Sequence, residues 1–116
     1  MFDIQVLRVI PNIAAEKMKY YRLAREAAER GENFFGLLQS SARCELIERE
    51  RQYCDKVQIR GCKNFTECRK LNGLIISIED ALLKLPIPNR ACSNTSLYNS
   101  QIGFCIGSYD PYLENE

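Results

Sequence analysis

The stretch CELIERERQYCDKVQIRGCKNFTEC, residues 44–68, decides the predicted fold because it contains four of the six cysteines of this 116-residue chain. Five of its positions recur at spacings of three or four residues: Cys44, Ile47, Arg51, Cys54 and Val57. This period places both cysteines on one face of a helix. We therefore predict a helix over about residues 33–60 that Gly61 ends, although Ser40 and Ser41 favour a break because serine competes for backbone hydrogen bonds.

Two further helices are predicted on either side of this segment. One covers about residues 12–30, with Asn12 as a good N-cap and Gly31 as its end. The other covers about residues 64–85, begins at the cap residue Asn64 and is ended by prolines. Its apolar positions recur at helical spacing: Cys68, Leu71, Leu74, Ile75, Ile78, Ala81, Leu82 and Leu85. Together the three helices form a predicted helical domain over residues 12–85.

The two ends of the chain lack a helical period. Residues 1–11 alternate apolar and polar side chains and are predicted to form an extended N-terminal arm. Residues 86–116 contain three prolines and several aromatic side chains, which indicate an extended C-terminal arm that becomes ordered on a partner. We expect the two arms to bind partner proteins through Phe2, Ile4, Tyr98, Phe104, Tyr109 and Tyr112.

The cysteines are even in number, which is typical of disulfides formed in an oxidising compartment. Within one helix Cys44 and Cys54 would lie roughly 15 Å apart, whereas a disulfide requires Cα atoms within about 7 Å. Each must therefore pair with another segment, and the best single pairing joins Cys54 with Cys68. The predicted disulfide positions are Cys44, Cys54, Cys62, Cys68, Cys92 and Cys105, and the pairing of the other four stays open. The alternative is six reduced thiols, because free cysteine is also common in protein cores.

These patterns predict an all-α fold, a disulfide-stapled helical hairpin plus an N-terminal helix with extended N- and C-terminal arms. Residues 44–54 resemble one arm of the C-x9-C helical hairpins of mitochondrial intermembrane-space proteins. Residues 53–71 resemble, more loosely, the cysteine-closed helix turn of the PDSW-type accessory subunit of respiratory complex I. The resemblance covers roughly residues 40–85. It implies a hairpin scaffold, an intermembrane-space location and an accessory role in a respiratory complex.

The composition excludes several kinds of chemistry. The chain has no histidine, so histidine-dependent triads and metal–histidine sites are excluded. Structural zinc sites use close cysteine pairs, and dithiol oxidoreductases use C-x-x-C, and neither spacing occurs here. We therefore predict no catalytic residue, no metal and no cofactor. A net charge of +1 without a basic block disfavours nucleic-acid binding, and no apolar run reaches the roughly 18 residues that span a bilayer.

The leading functional prediction is a non-catalytic structural accessory subunit of a mitochondrial respiratory-chain complex, with complex I as the first candidate. Its partners would be protein subunits of a larger hetero-oligomeric complex, to which it binds peripherally, without a transmembrane span, on the intermembrane-space side. One alternative is a secreted cysteine-rich effector or ligand, and another is a cytosolic helical binding or inhibitor protein with reduced cysteines. The N-terminus lacks the pattern of a signal peptide, so either a longer precursor was trimmed or Met1 is the natural start.

Overall fold

The fold combines helices with an antiparallel sheet. The computed structural model describes residues 4–52, 54–61, 66–88, 97–98, 101–102 and 107–112. In chain order the elements are α1 (Ile4–Arg8), α2 (Ile13–Glu29), α3 (Phe35–Arg51), β1 (Lys56–Arg60), α4 (Thr66–Leu71), β2 (Ile75–Ser77), α5 (Ile78–Lys84), β3 (Leu97–Tyr98), β4 (Gln101–Ile102) and β5 (Ser108–Tyr112). The prediction of an all-α protein is therefore wrong.

Strand β1 occupies residues 56–60, which the sequence predicts as the last part of the second helix. Helix α3 ends at Arg51, and in the strand that follows Val57 and Ile59 are both fully buried between more exposed neighbours. A period of two is that of a strand, and β-branched side chains favour strands. The helical spacing from Cys54 to Val57 was misleading, because a helix would turn Val57 and Ile59 to different faces while a strand buries both.

The central position of β1 explains why the third predicted helix is interrupted and why residues 108–112 pair within the chain. The strand order is β2-β1-β5, with both pairings antiparallel. Val57 lies opposite Ile76 on one side and opposite Pro111 on the other. A buried strand needs main-chain partners on both edges. Residues 75–77 and 108–112 supply those partners, so residues 66–84 are divided into α4, β2 and α5, and β5 belongs to the sheet.

The predicted disulfide staple is absent from the described residues. Cys44, Cys54 and Cys68 are buried free thiols, and Cys62, Cys92 and Cys105 lie outside the described residues. The predicted Cys54–Cys68 bond required α3 to continue into an antiparallel helical hairpin. Since β1 follows α3 instead, this hairpin and its staple are not formed, which corrects the second part of the predicted fold class.

Helices α2 and α3 pack along each other and form the helical layer. The Asn12 side chain caps α2 by accepting the Ala15 N–H at 3.1 Å. Helix α3 continues through Ser40, whose hydroxyl donates to the Gly36 carbonyl, while the Ser41 hydroxyl donates to the Lys17 carbonyl of α2. Both serines are buried, and these bonds supply the partners that the hydroxyls need, so no break occurs.

Residues 4–8 form helix α1 rather than part of an extended arm. Leu7 is fully buried, and the Arg8 guanidinium makes two hydrogen bonds to the Glu50 carboxylate, at 3.2 and 3.1 Å. The Arg51 guanidinium donates to main-chain carbonyls at and beyond the end of α1, those of Arg8, Ile10 and Pro11. A cation that satisfies the last carbonyls of a helix stabilises that end. The N-terminal helix is thus attached to the end of α3.

The core lies between α3, α5 and the three-stranded sheet. Its largest fully buried side chains are Tyr109, Leu7, Leu38, Leu46, Ile47, Ile59, Ile87 and Val57. In the part of the chain that the structure describes, no helix has the length and hydropathy needed to cross a membrane.

Candidate functional site

Tyr109 on β5 is buried and bonded to the chain segment that follows α5. Its hydroxyl donates to the Ile87 carbonyl at 2.6 Å and accepts the Ile87 N–H at 3.1 Å. The residue is 1% exposed, and burial raises the pKa of the hydroxyl above its usual value. The structure therefore places this side chain, which the sequence pattern assigned to a partner surface, in the chain's own core.

The outer edge of β5 is covered by α3 at the same residue. The Arg49 Nε donates to the Tyr109 carbonyl at 2.9 Å, and the Tyr109 main chain lies near the Glu45 carboxylate and favours its charged form. Glu45 and Arg49 are four residues apart on the helix and form an ion pair at 3.6 Å. Uncovered strand edges attract other strands, so this pair both protects the edge and fixes β5 against α3.

A pocket of about 230 Å³ lies beside Tyr109, between α2, α3 and the segment after α5. Among the described residues its apolar lining includes Met18, Leu38, Ala42, Ile87, Pro88 and Tyr109. An apolar cavity of about 150 Å³ is large enough to hold benzene. This pocket therefore has room for a bicyclic aromatic ring or a branched aliphatic group.

The polar side chains that line the pocket already have partners within the chain. The Lys17 ammonium pairs with Glu48 at 3.5 Å, and the Ser41 hydroxyl donates to a main-chain carbonyl. The side chain of Glu45 is 14% exposed and lies near Arg49. Burial raises the pKa of this carboxyl, and the nearby Lys17 opposes the shift. The pocket thus combines apolar walls with one mostly buried carboxylate, that of Glu45.

A second cavity, of about 520 Å³, is lined mainly by polar side chains instead. Its lining includes the Arg8–Glu50 ion pair, Asp55, Glu79 and the thiol of Cys54. Water solvates such a surface well, so it offers little free energy for binding an apolar ligand. Among the described residues no group of three or more metal-ligating side chains comes together. The pocket beside Tyr109 is consequently the better candidate for a binding site.

The other predicted partner-binding residues do not line this pocket in the described part of the chain. Phe2 and Phe104 lie outside the described residues. Ile4 begins α1 and Tyr98 ends β3, and the positions of their side chains are not described. Tyr112 is half-buried on β5. Of the two predicted residues whose side chains are described, Tyr109 lines the pocket and Tyr112 does not.

Sequence reasoning missed most of the pocket because its walls come from separate segments. A partial signal existed in α2, where Met18 and Tyr21 lie on one helical face, and both line the pocket. Met18 is 57% exposed, which is more than a core position would show. No comparable signal marks Ala42, Glu45 or Ile87, because they converge only after α3 packs against β5.

Cys44 gives a test of the free-thiol assignment. The residue is fully buried, and burial raises the pKa of its thiol to about 12. At pH 8 only roughly one thiol in ten thousand would then be the reactive thiolate. We expect Cys44 to resist iodoacetamide in the native protein and to react readily in concentrated urea without prior reduction, as peptide mass spectrometry would show.

Two results would contradict this expectation. Equal alkylation of Cys44 in the native protein and in urea would show that the thiol is not buried. A need for reducing agent before Cys44, Cys54 or Cys68 could be alkylated in urea would show that these cysteines are bridged.

The fold and the pocket define a small mixed α and β protein with a partly closed apolar pocket beside a buried tyrosine. Comparison of the chain with protein-family models, with curated proteins and with solved structures finds no match.

Proposed function

We propose that this chain is a non-catalytic binding protein and that the pocket beside Tyr109 is its binding site. The observation that carries the proposal is the apolar pocket of about 230 Å³, whose polar lining groups have partners within the chain. Small-molecule sites are typically concave and mostly apolar, with a few placed polar groups. This proposal lies nearest to the predicted alternative of a binding protein with reduced cysteines.

The absence of histidine from the sequence supports a non-catalytic role, since the commonest general base is missing. The prediction of a respiratory-complex subunit relied on the stapled hairpin, which the described residues do not form. That prediction, its intermembrane-space location and the secreted alternative stay predictions. The pocket itself supports a more general statement, that the chain binds an apolar group.

Indole is a suitable probe because it matches the pocket in size and the chain has no tryptophan. Its fluorescence can therefore be followed without a background of the same chromophore. We expect a dissociation constant of roughly 0.1–1 mM, as for other small apolar ligands in preformed pockets. No saturable binding by the folded protein at several times that concentration would overturn the proposal.

The location of the site can be tested with two matched substitutions. Ala42 lines the pocket on α3, whereas Ala14 is exposed on α2. We expect Ala42→Phe to fill the pocket and abolish indole binding, and Ala14→Phe to leave binding within about twofold of the original protein. Circular dichroism would establish that both variants are folded. Equal binding by the two variants would overturn the assignment of the site.

A second readout does not depend on a variant. The chain has two methionines, Met1 and Met18, so labelling the methionine methyl groups with carbon-13 gives two NMR signals, which Met18→Leu would assign. Met18 lines the pocket. We expect indole to move the Met18 signal saturably through its ring current. A Met18 signal that does not move would contradict the assignment even if indole binds elsewhere.

A further inference from the structure

The charged groups beside the pocket balance one another. Lys17 pairs with Glu48 at 3.5 Å, and Glu45 pairs with Arg49 at 3.6 Å. Two positive and two negative side chains thus lie close together on α2 and α3. A charged ligand that enters the pocket would lose its hydration, and the paired charges beside the pocket offer it no net attraction in return. The arrangement favours a neutral ligand.

The polar groups of the lining differ in what they can still accept or donate. The Ser41 hydroxyl donates its hydrogen to the Lys17 carbonyl, and the Lys17 ammonium is directed to Glu48. A carboxylate has about four acceptor positions, and the observed partner of the Glu45 carboxylate is the Arg49 guanidinium at 3.6 Å. The Glu45 carboxylate therefore retains acceptor capacity at the pocket wall.

We infer that the pocket selects neutral ligands that combine an apolar ring with one N–H or O–H group, which donates to the Glu45 carboxylate. This inference rests on the proposed function and adds the chemical class of the ligand. The apolar walls at Met18 and Ala42 bind the ring, and Glu45 orients it. A hydrogen bond to a charged acceptor in a site with little water is stronger than one between neutral groups. The donor consequently sets the specificity.

Two isomers provide a matched test on the full-length protein. 3-Methylindole keeps the ring N–H, whereas 1-methylindole has the same formula and no donor. We expect 3-methylindole to bind about tenfold more tightly, which is the effect of one hydrogen bond to a charged group. The cation tryptamine and the anion indole-3-acetate should both bind more weakly than 3-methylindole. The Met18 methyl signal would report binding for all four probes.

Substitutions of two glutamates on α3 connect the selectivity to one side chain. We expect Glu45→Leu to bind 3-methylindole and 1-methylindole about equally, because the acceptor is lost. We expect Glu45→Gln to prefer 3-methylindole by only about threefold, because its acceptor is neutral. Glu50 pairs with Arg8 and lines the other cavity, so Glu50→Leu should retain the tenfold preference. The glutamine variant keeps the test decisive if Glu45→Leu does not fold.

The outcomes distinguish this inference from the proposed function. Equal affinity of the two isomers, or a preference that is unchanged in Glu45→Gln, would overturn the inference while the pocket remained a binding site. Tighter binding of tryptamine or indole-3-acetate than of 3-methylindole would also overturn it. Failure of all four probes to move the Met18 signal would overturn the proposed function itself.

Discussion

Replacing Tyr109 with phenylalanine should lower the free energy of unfolding by about 2–4 kcal/mol. The substitution removes one hydroxyl and with it the hydrogen-bond partner of two buried main-chain groups, the Ile87 N–H and the Ile87 carbonyl. An unsatisfied buried polar group costs far more than the net gain of an ordinary hydrogen bond. Urea unfolding followed by circular dichroism would measure the change.

Tyr112→Phe is the matched control for this prediction. Tyr112 lies on the same strand and is half-buried, so water remains near its hydroxyl. We expect that substitution to change the free energy of unfolding by less than about 0.5 kcal/mol. A similar effect of the two substitutions would show that the Tyr109–Ile87 bonds do not carry the attachment of the segment after α5 to β5.

Replacing Gly107 with alanine should destabilise the protein by about 2–5 kcal/mol, for two reasons that add. Gly107 precedes β5 and has a φ of +69°, a conformation that costs energy for any residue with a Cβ. An added Cβ would also lie 2.5 Å from the Arg60 carbonyl oxygen and 3.0 Å from the Ile87 Cδ1. Thermal and urea unfolding of the variant would measure the loss.

Gly36→Ala serves as the opposite control. Gly36 lies in the first turn of α3, and a Cβ built there meets nothing within 4 Å. Alanine has the higher helix propensity, so this substitution should stabilise the protein by about 0.5–1 kcal/mol. If Gly107→Ala did not lower the stability of the protein, Gly107 would not lie as close to β1 as the structure places it.

Local sequence signals predicted those features that depend on near neighbours in the chain. Asn12 caps α2 by accepting a hydrogen bond from the residue three positions later, and the helix bounded by it runs to Glu29. The same helix brings Met18 and Tyr21 to the pocket on one face, although no sequence signal marked them as a binding site. The cap and the helix could be predicted because capping and helical periodicity act over a few residues.

The sheet could not be predicted in the same way. Val57 and Ile59 fit the alternating pattern of a strand. The helical spacing of Cys44, Ile47 and Cys54 nevertheless continues to Val57, so the sequence also fits a helix there. The choice between the two depends on β2 and β5, which lie about twenty and fifty residues further along the chain and supply the main-chain partners. Both apolar side chains of β1 are buried only because those distant strands pair with it. Local residue propensities do not show that this pairing will occur.

The cysteines show the same division. By itself the sequence determined their number, the position of α2 and the absence of histidine chemistry. The tertiary structure alone decided that Cys44, Cys54 and Cys68 are buried thiols, and that Tyr109, Glu45 and Ile87 meet at one pocket. The physical reason is that burial and main-chain pairing are properties of the packed chain. This burial and pairing depend on the packing of α3 against β5, and the spacing of residues along the chain does not predict that contact.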